Sequence, residues 1–478
     1  MPLRTLRPFM HGVAQRKQGT FLALPDVKRI LVLAVPAMLA LLTQTSINWV
    51  DTYLIGLLPE PERTHGQAML SPALILLWAI GGFLSAISVG TQALVARRVG
   101  QNEPLEGGAV LANSLVLAIV TSTVLACICI PLVPTFYALT STNPDYVRIA
   151  SAYTKWRFVG LVSMVVTASL KSFYDGTART YVHFWAAVLM NVANGVLCWI
   201  LIFGHFGSPR MGPEGAGLAA AISSWVGVGA MFCFSMRAVD RDKYRPYRAG
   251  TLSVATMKKL AGLSIPSGIA TTVVMTGFGL FIYIVQKIDG RTADATGGAP
   301  VNLAATTLII QVLSFTFFSC LAFGVSTATL VAQSLGAHDP DSAERYAWSS
   351  VKMAMMLFGV VGLTEIAFPE FWLSRFTESA AVIGVGANPM RLMGAAGPFI
   401  AAAMILTQAL FGAGNPRFVM LVEVALHFGM LLPTAVVCGL LLGWGLFGVW
   451  LSAALYALLL SSIMAWKFRS NSWKSIVI

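Results

Sequence analysis

The 478 residues are 56% hydrophobic and only 11% charged, with a mean hydropathy of +0.74 and a formal net charge of +12. Soluble domains carry roughly 25% charged residues, so most of this chain cannot face water. The positive excess is the sign expected of membrane orientation and contact with anionic lipid, not of nucleic-acid binding.

In chain order, residues 1–29 form a basic tail with Arg4, Arg7, Arg16 and Lys17. It lacks the apolar core and small-residue cleavage site of a removable signal peptide and is expected to stay in the cytoplasm. Residues 30–236 form a first lobe of six spans centred near residues 44, 82, 120, 161, 193 and 226. Stretches without Asp, Glu, Lys or Arg, such as 107–144 and 180–209, exceed the roughly 20 residues that a spanning helix requires. Residues 237–259, with Asp-Arg-Asp-Lys-Tyr-Arg-Pro-Tyr-Arg from Asp240 to Arg248, are the one extended polar stretch and read as a cytoplasmic linker. A second lobe, residues 260–468, has spans centred near 274, 317, 358, 401, 430 and 457, and residues 469–478 form a C-tail. The predicted fold class is an all-α integral membrane protein with twelve transmembrane helices.

The halves repeat each other. Leu-Val-Ala-Arg-Arg-Val-Gly-Gln-Asn-Glu-Pro (Leu94 to Pro104) returns as Leu-Val-Ala-Gln-Ser-Leu-Gly-Ala-His-Asp-Pro (Leu330 to Pro340), and Gly176 recurs as Gly412 at the same offset of 236. Pro36 and Pro266 open equivalent apolar stretches. Six spans per copy bring the second copy into the bilayer from the same side as the first, which makes two parallel-repeat lobes of the kind that rock around a shared central site. With both termini inside, 23 of the 32 Lys and Arg residues fall on the inner side, as the positive-inside rule requires. The expected location is the inner (plasma) membrane, with both termini cytoplasmic.

Enzyme signatures are missing: there is no glycine-rich phosphate loop, no His-Glu-x-x-His and no Gly-x-Ser-x-Gly elbow. The six Cys lie inside apolar spans without metal-ligand spacing, so no metal and no cofactor are expected. No soluble stretch is long enough for a nucleotide domain, so energy must come from an ion gradient or a partner. The reading from residues alone stops at a two-lobed secondary carrier.

Asn-Trp-Val-Asp-Thr-Tyr-Leu-Ile-Gly (Asn48 to Gly56), Gly-Thr-Gln-Ala-Leu-Val-Ala-Arg-Arg-Val-Gly (Gly90 to Gly100), Asn-Gly-Val-Leu-Cys-Trp-Ile-Leu-Ile-Phe-Gly (Asn194 to Gly204), Gly-Pro-Glu-Gly-Ala-Gly-Leu-Ala (Gly212 to Ala219), Gly-Ala-Gly-Asn-Pro-Arg (Gly412 to Arg417) and Gly-Val-Trp (Gly448 to Trp450) together resemble the multidrug and toxic compound extrusion family. The resemblance runs from about Arg29 to the C-terminus, in family order. It implies an antiporter that exports bulky, often cationic, amphipathic organic compounds in exchange for protons or sodium, with the lipid bilayer as its only other partner and a single chain as the working unit. A lipid-linked oligosaccharide flippase of the same superfamily is the alternative, but it calls for several cavity cations that the spans do not supply. A major facilitator carrier calls for Gly-x-x-x-Asp-Arg after the second span, and a membrane-embedded transferase for clustered His and Asp; neither is present.

Asp51 is the only acid in the first span. A charged carboxylate at a helix centre costs at least about 2.5–3.5 kcal/mol and is functional by default, so Asp51 is expected to take up and release a proton; the resemblance gives its counterpart the coupling role. Otherwise it sits at the outer helix end and reaches headgroup water. The resemblance pairs it with Asn194, while Cys198 stands where the family often carries a second Asp or Asn, which favours a proton over sodium. Asn191 and Asn194 serve equally as helix–helix glue. Gln44, Thr45, Asn48, Gln92, Gln311 and Gln408 are candidates for lining a cargo cavity, or for interhelical hydrogen bonding. No acid is expected in the seventh or tenth span. Glu423 and His427, four apart on one helix face, form either a proton-labile pair or, the favoured reading, a self-satisfied pair near the inner mouth.

Overall fold

The computed structural model describes residues 24–248, 250–296 and 299–478, and the side chains of these except 44–49, 239 and 293–296. Ten helices among the described residues are long and apolar enough to cross a membrane. The first helix, Leu24–Gly56, and a fourth span carrying Asp145, Arg148, Lys155, Arg157, Lys171 and Asp175 complete twelve. In order, the first lobe holds Leu24–Gly56, Glu62–Ser85 continued by Ile87–Gly100, Pro104–Thr140, Pro144–Val159 continued by Leu161–Gly176, Tyr181–Phe203 and Pro213–Ser235. The second holds Val254–Thr296, Val301–Gly336, Pro340–Ala367, Ala380–Gly412, a span from Pro416 to Leu441, and Gly445–Arg469.

The solvent dictates this form. Outward faces are apolar, as at Val120, Val124, Ile128 and Leu132 of the third span and Leu357, Val360 and Leu363 of the ninth; only helices satisfy every backbone group in lipid. Inside the lobes, glycines let backbones touch: a Cβ on Gly362 would stand 2.1 Å from the Gly394 carbonyl, and one on Gly217 would stand 2.6 Å from that of Tyr153.

The duplicated motif folds the same way twice. Asn102 and His338 both take the left-handed conformation (φ 60° and 57°), where short polar residues cost least. The following amides, Glu103 and Asp339, both close back on the helix at 2.9 Å, onto the carbonyls of Arg98 and Ser334, and Pro104 and Pro340 start the next helices. After the fourth and tenth spans, Ala178 (φ 59°) and Gly414 (φ 87°) repeat the turn.

The lobes meet at the end that carries the linker, and they meet with pseudo-twofold symmetry. The first span packs on the eighth, and the seventh on the second. The repeated motifs cross so closely that a Cβ on Gly100 would lie 2.1 Å from the Gln333 carbonyl, and one on Gly336 would lie 2.2 Å from that of Arg97. Arg97 donates to the carbonyls of Ala413 and Ile476 (3.4 and 3.1 Å), and Gln333, its equivalent, donates to that of Gly176 (2.8 Å). Asp26 and Arg345 pair at 2.9 Å at the same end. Residues 470–478 fold onto this seam, with Trp473 buried, Ile476 against the second lobe's core and Ile478 against the first's.

Three spans carry breaks that the sequence reading treated as continuous. The second bends at Ala86 and the fourth at Gly160, where a Cβ would press 3.1 Å from Ala221. The eleventh widens to i→i−5 turns over His427–Leu431 and Val436–Leu441.

Candidate functional site

Asp51 stands five residues before the end of the first span, yet it is only 1% exposed. This burial does not fit the alternative reading, in which the carboxylate reaches headgroup water. The side chain turns inward onto the fifth span, where Cys198 Sγ donates to Oδ1 at 3.2 Å.

Asn194 lies one turn before Cys198 on the same buried face and is 0% exposed. Its Oδ1 and Nδ2 have no partner among the described residues. A buried polar atom left unpaired costs about 1–3 kcal/mol, so two such atoms one turn from the thiol that bonds Asp51 mark a place able to receive a further polar group. Asn191, a turn earlier, donates to the Thr43 carbonyl at 2.7 Å and joins the fifth span to the first. Its Oδ1 has no partner among the described residues.

The fourth span adds two residues that sequence reasoning missed. Tyr153, buried against Asp51 and Cys198, and Arg157 lie within electrostatic range of the carboxyl. Arg157 also borders a half-open cavity of about 170 Å³ on this lobe, with Trp78, Met164, Met190 and Ser224. Arg157 follows Asp145, Arg148 and Lys155 in a stretch of mixed charge, so no single cation stands out there in the sequence.

The remaining candidates scatter. Gln92 is buried at the edge of a small pocket at the seam, and its Nε2 donates across the seam to the Val325 carbonyl and Thr329 Oγ1 at 2.8 and 2.9 Å. Gln408 packs beside it, its Cγ against Gly324. Gln311 is exposed, and the side chains of Gln44, Thr45 and Asn48 lie outside the described residues. Glu423 and His427 come together in the second lobe, with Tyr456 of the twelfth span donating to Glu423.

The seventh span does contain an acid, contrary to expectation, because its helix runs further than the apolar pattern implied. Asp289 accepts from the backbone of Asn302 and Leu303 and from Asn302 Nδ2 at 2.8–2.9 Å, capping the eighth span. That is a structural task at a helix N-terminus.

Two six-helix lobes joined at one end, with the carboxyl of Asp51 buried in the first and that of Glu423 in the second, define a two-lobed membrane carrier. The MatE family profile matches residues 36–200 and 280–437, one stretch in each lobe. The chain belongs to the multidrug and toxic compound extrusion (MATE) family of membrane transporters. A relative named probable multidrug resistance protein NorM, from Thermotoga maritima, is 26% identical over 94% of each chain. The multidrug resistance protein PmpM of Pseudomonas aeruginosa is 23% identical over 87% of this chain and 84% of its own. A solved structure described as the outward-facing conformation of a multidrug resistance MATE family transporter of the MOP superfamily shares the fold with a TM-score of 0.82 at 18% identity, covering 95% of this chain and 97% of that one. The bent form of the Vibrio cholerae MATE transporter VcmN also gives 0.82, at 15% identity over 94% and 98%.

Proposed function

We propose that this chain is a secondary antiporter of the inner (plasma) membrane, with both termini cytoplasmic, that exports amphipathic, cationic organic compounds in exchange for protons. The observation that carries this reading is Asp51, a carboxyl enclosed within the first lobe with a thiol on one oxygen. Relatives named multidrug resistance proteins support the cargo class. The charge bias of the loops supports the orientation, and the closed seam then lies on the cytoplasmic side.

In the proposed cycle, Asp51 takes a proton while the lobes are open to the outside. It releases the proton once access switches, becoming an anion that attracts a cationic cargo. Proton coupling is favoured over sodium because hard cations seek several oxygen ligands, and the nearest donor here is sulfur. The flippase reading draws less support, since Arg157 alone supplies a cation to the cavity described above. One chain is the proposed working unit, as each lobe completes its own interior.

The test is dye efflux in inverted vesicles, driven separately by a pH gradient and a sodium gradient, for the wild type and Asp51→Asn. Efflux driven by the pH gradient alone and lost in the variant supports the reading. Efflux driven only by sodium, or fully kept in the variant, overturns it.

A further inference from the structure

The second lobe contains a polar cluster that the proposed cycle does not use. Glu423 and His427 stand one turn apart on the eleventh span and are 6% and 4% exposed. His427 Nδ1 lies 3.0 Å from the Glu423 carbonyl and 3.3 Å from Oε2. Tyr456 of the twelfth span donates its hydroxyl to the same Oε2, and its ring meets the imidazole edge-on at 4.7 Å. The Cδ2–Nε2 edge of the imidazole faces the seventh span at Gly277, where a Cβ would lie 2.4 Å from Cδ2 and 3.4 Å from Nε2. The space for the ring therefore exists because residue 277 has no side chain.

Simple stapling of helices does not require these groups. Apolar residues of similar volume hold packed helices at least as well as buried charged pairs, and an acid in mid-span is costly. The backbone also widens from His427 to Leu431 into i→i−5 turns, a distortion frequent at functional sites. By the repeat offset of 236, His427 is the counterpart of Asn191. Both face the first helix of their own lobe, Asn191 through Thr43 and His427 through Gly277.

We propose that Glu423, His427 and Tyr456 form a second proton-binding site, so that a transport cycle moves two protons, one in each lobe. This rests on the antiport reading above. Glu423 remains an anion, accepting from the Tyr456 hydroxyl and from His427 Nδ1–H. One proton from water binds Nε2, and the cluster passes from a net charge of −1 to 0; on release the N–H bond breaks and the proton returns to water. Glu423 keeps the imidazolium neutralised, and this balance lets the charge exist in the span.

Few other charges bear on it. The twelfth span presents Tyr456 and, toward the linker side, Lys467, which lies over the Phe418 ring. On the seventh span the nearest titratable side chain beyond Gly277 is Tyr283, half exposed, with Lys287 over its ring and Asp289 further on. The tenth span has no titratable residue after Arg391.

The experiment measures, in proteoliposomes with the membrane potential clamped at zero, the cargo gradient at which net flux reverses as the pH difference is varied. Two protons per cargo give about a hundredfold limiting gradient per pH unit, and one gives about tenfold, since each proton contributes about 1.4 kcal/mol per unit. The wild type is expected near a hundredfold, and His427→Gln and Glu423→Gln near tenfold with transport retained. A wild-type limit near tenfold overturns the proposal without any variant having to fold, while the antiport reading stands. A hundredfold limit unchanged in the variants overturns it too, assigning the second proton elsewhere. A wild type indifferent to the pH difference overturns the antiport reading and this proposal together.

Discussion

In the first lobe the acid of the candidate site belongs to span one and its partner thiol to span five; in the polar cluster of the second, acid and imidazole share span eleven, the phenol comes from span twelve, and span seven contributes the missing side chain of Gly277. The backbones are the same at the points where the lobes touch, with paired left-handed residues at 102 and 338 and paired seam donors at 97 and 333. Duplication has kept the hinge-like crossing and let the interiors diverge. A crossing of two backbones at van der Waals contact tolerates little change, whereas a polar group inside a lobe needs only its local partners.

The largest expected effect separates the two interiors. Asp51→Asn should lower the initial rate of pH-driven efflux by at least about a hundredfold, which is ~2.8 kcal/mol at 1.4 kcal/mol per decade, while His427→Gln lowers it less than about tenfold. Equal losses would erase the distinction between the lobes.

Next come the shared contacts. Gly100→Ala or Gly336→Ala sets a methyl group against a facing carbonyl, and overpacking of this kind costs about 1–3 kcal/mol. The population closed on the linker side should fall by roughly 5–150-fold, seen as increased labelling from that side of a cysteine placed in the seam. Both interiors should be affected alike.

Gly277→Ala acts on the second lobe alone. The methyl group would displace the His427 ring, with an expected stability loss of about 1–3 kcal/mol in thermal unfolding and a fall in the limiting cargo gradient toward the one-proton value.

Cys198→Ala should have the smallest effect. Removing one neutral donor costs about 0.5–1.5 kcal/mol, so efflux should slow by less than about fifteenfold, and Cys198→Ser should restore most of the rate.

The repeat made much of this legible. Uncharged stretches set the number of spans, and matching motifs at one offset set the parallel arrangement of the lobes and the turns at Pro104 and Pro340. Asp51, Asn194 and Cys198 were legible because polar residues in apolar runs stand out, and their convergence follows from the contact between the first and fifth spans. Arg157, Tyr153 and Tyr456 were not, since their partners are distant in sequence and tyrosine is ordinary in a span. Gln92 makes the interhelical hydrogen bonds that were one of its two readings, but that its partners, Val325 and Thr329, belong to the other lobe could not be read from local pattern. Hydropathy also gave no sign of the breaks at Ala86 and Gly160, the second of which lies close against Ala221. The fold of residues 470–478 onto the seam was not legible because nine residues with four apolar side chains are too short to carry a periodic signal.

The most direct measurement of the central claim is difference infrared spectroscopy on reconstituted protein, with and without a cationic cargo, comparing wild type and Asp51→Asn as pH is varied. The account predicts a protonated-carboxyl band present only when Asp51 is, lost when cargo binds or pH rises. A carboxylate signature from Asp51 that is unchanged by cargo and pH in every state would contradict it.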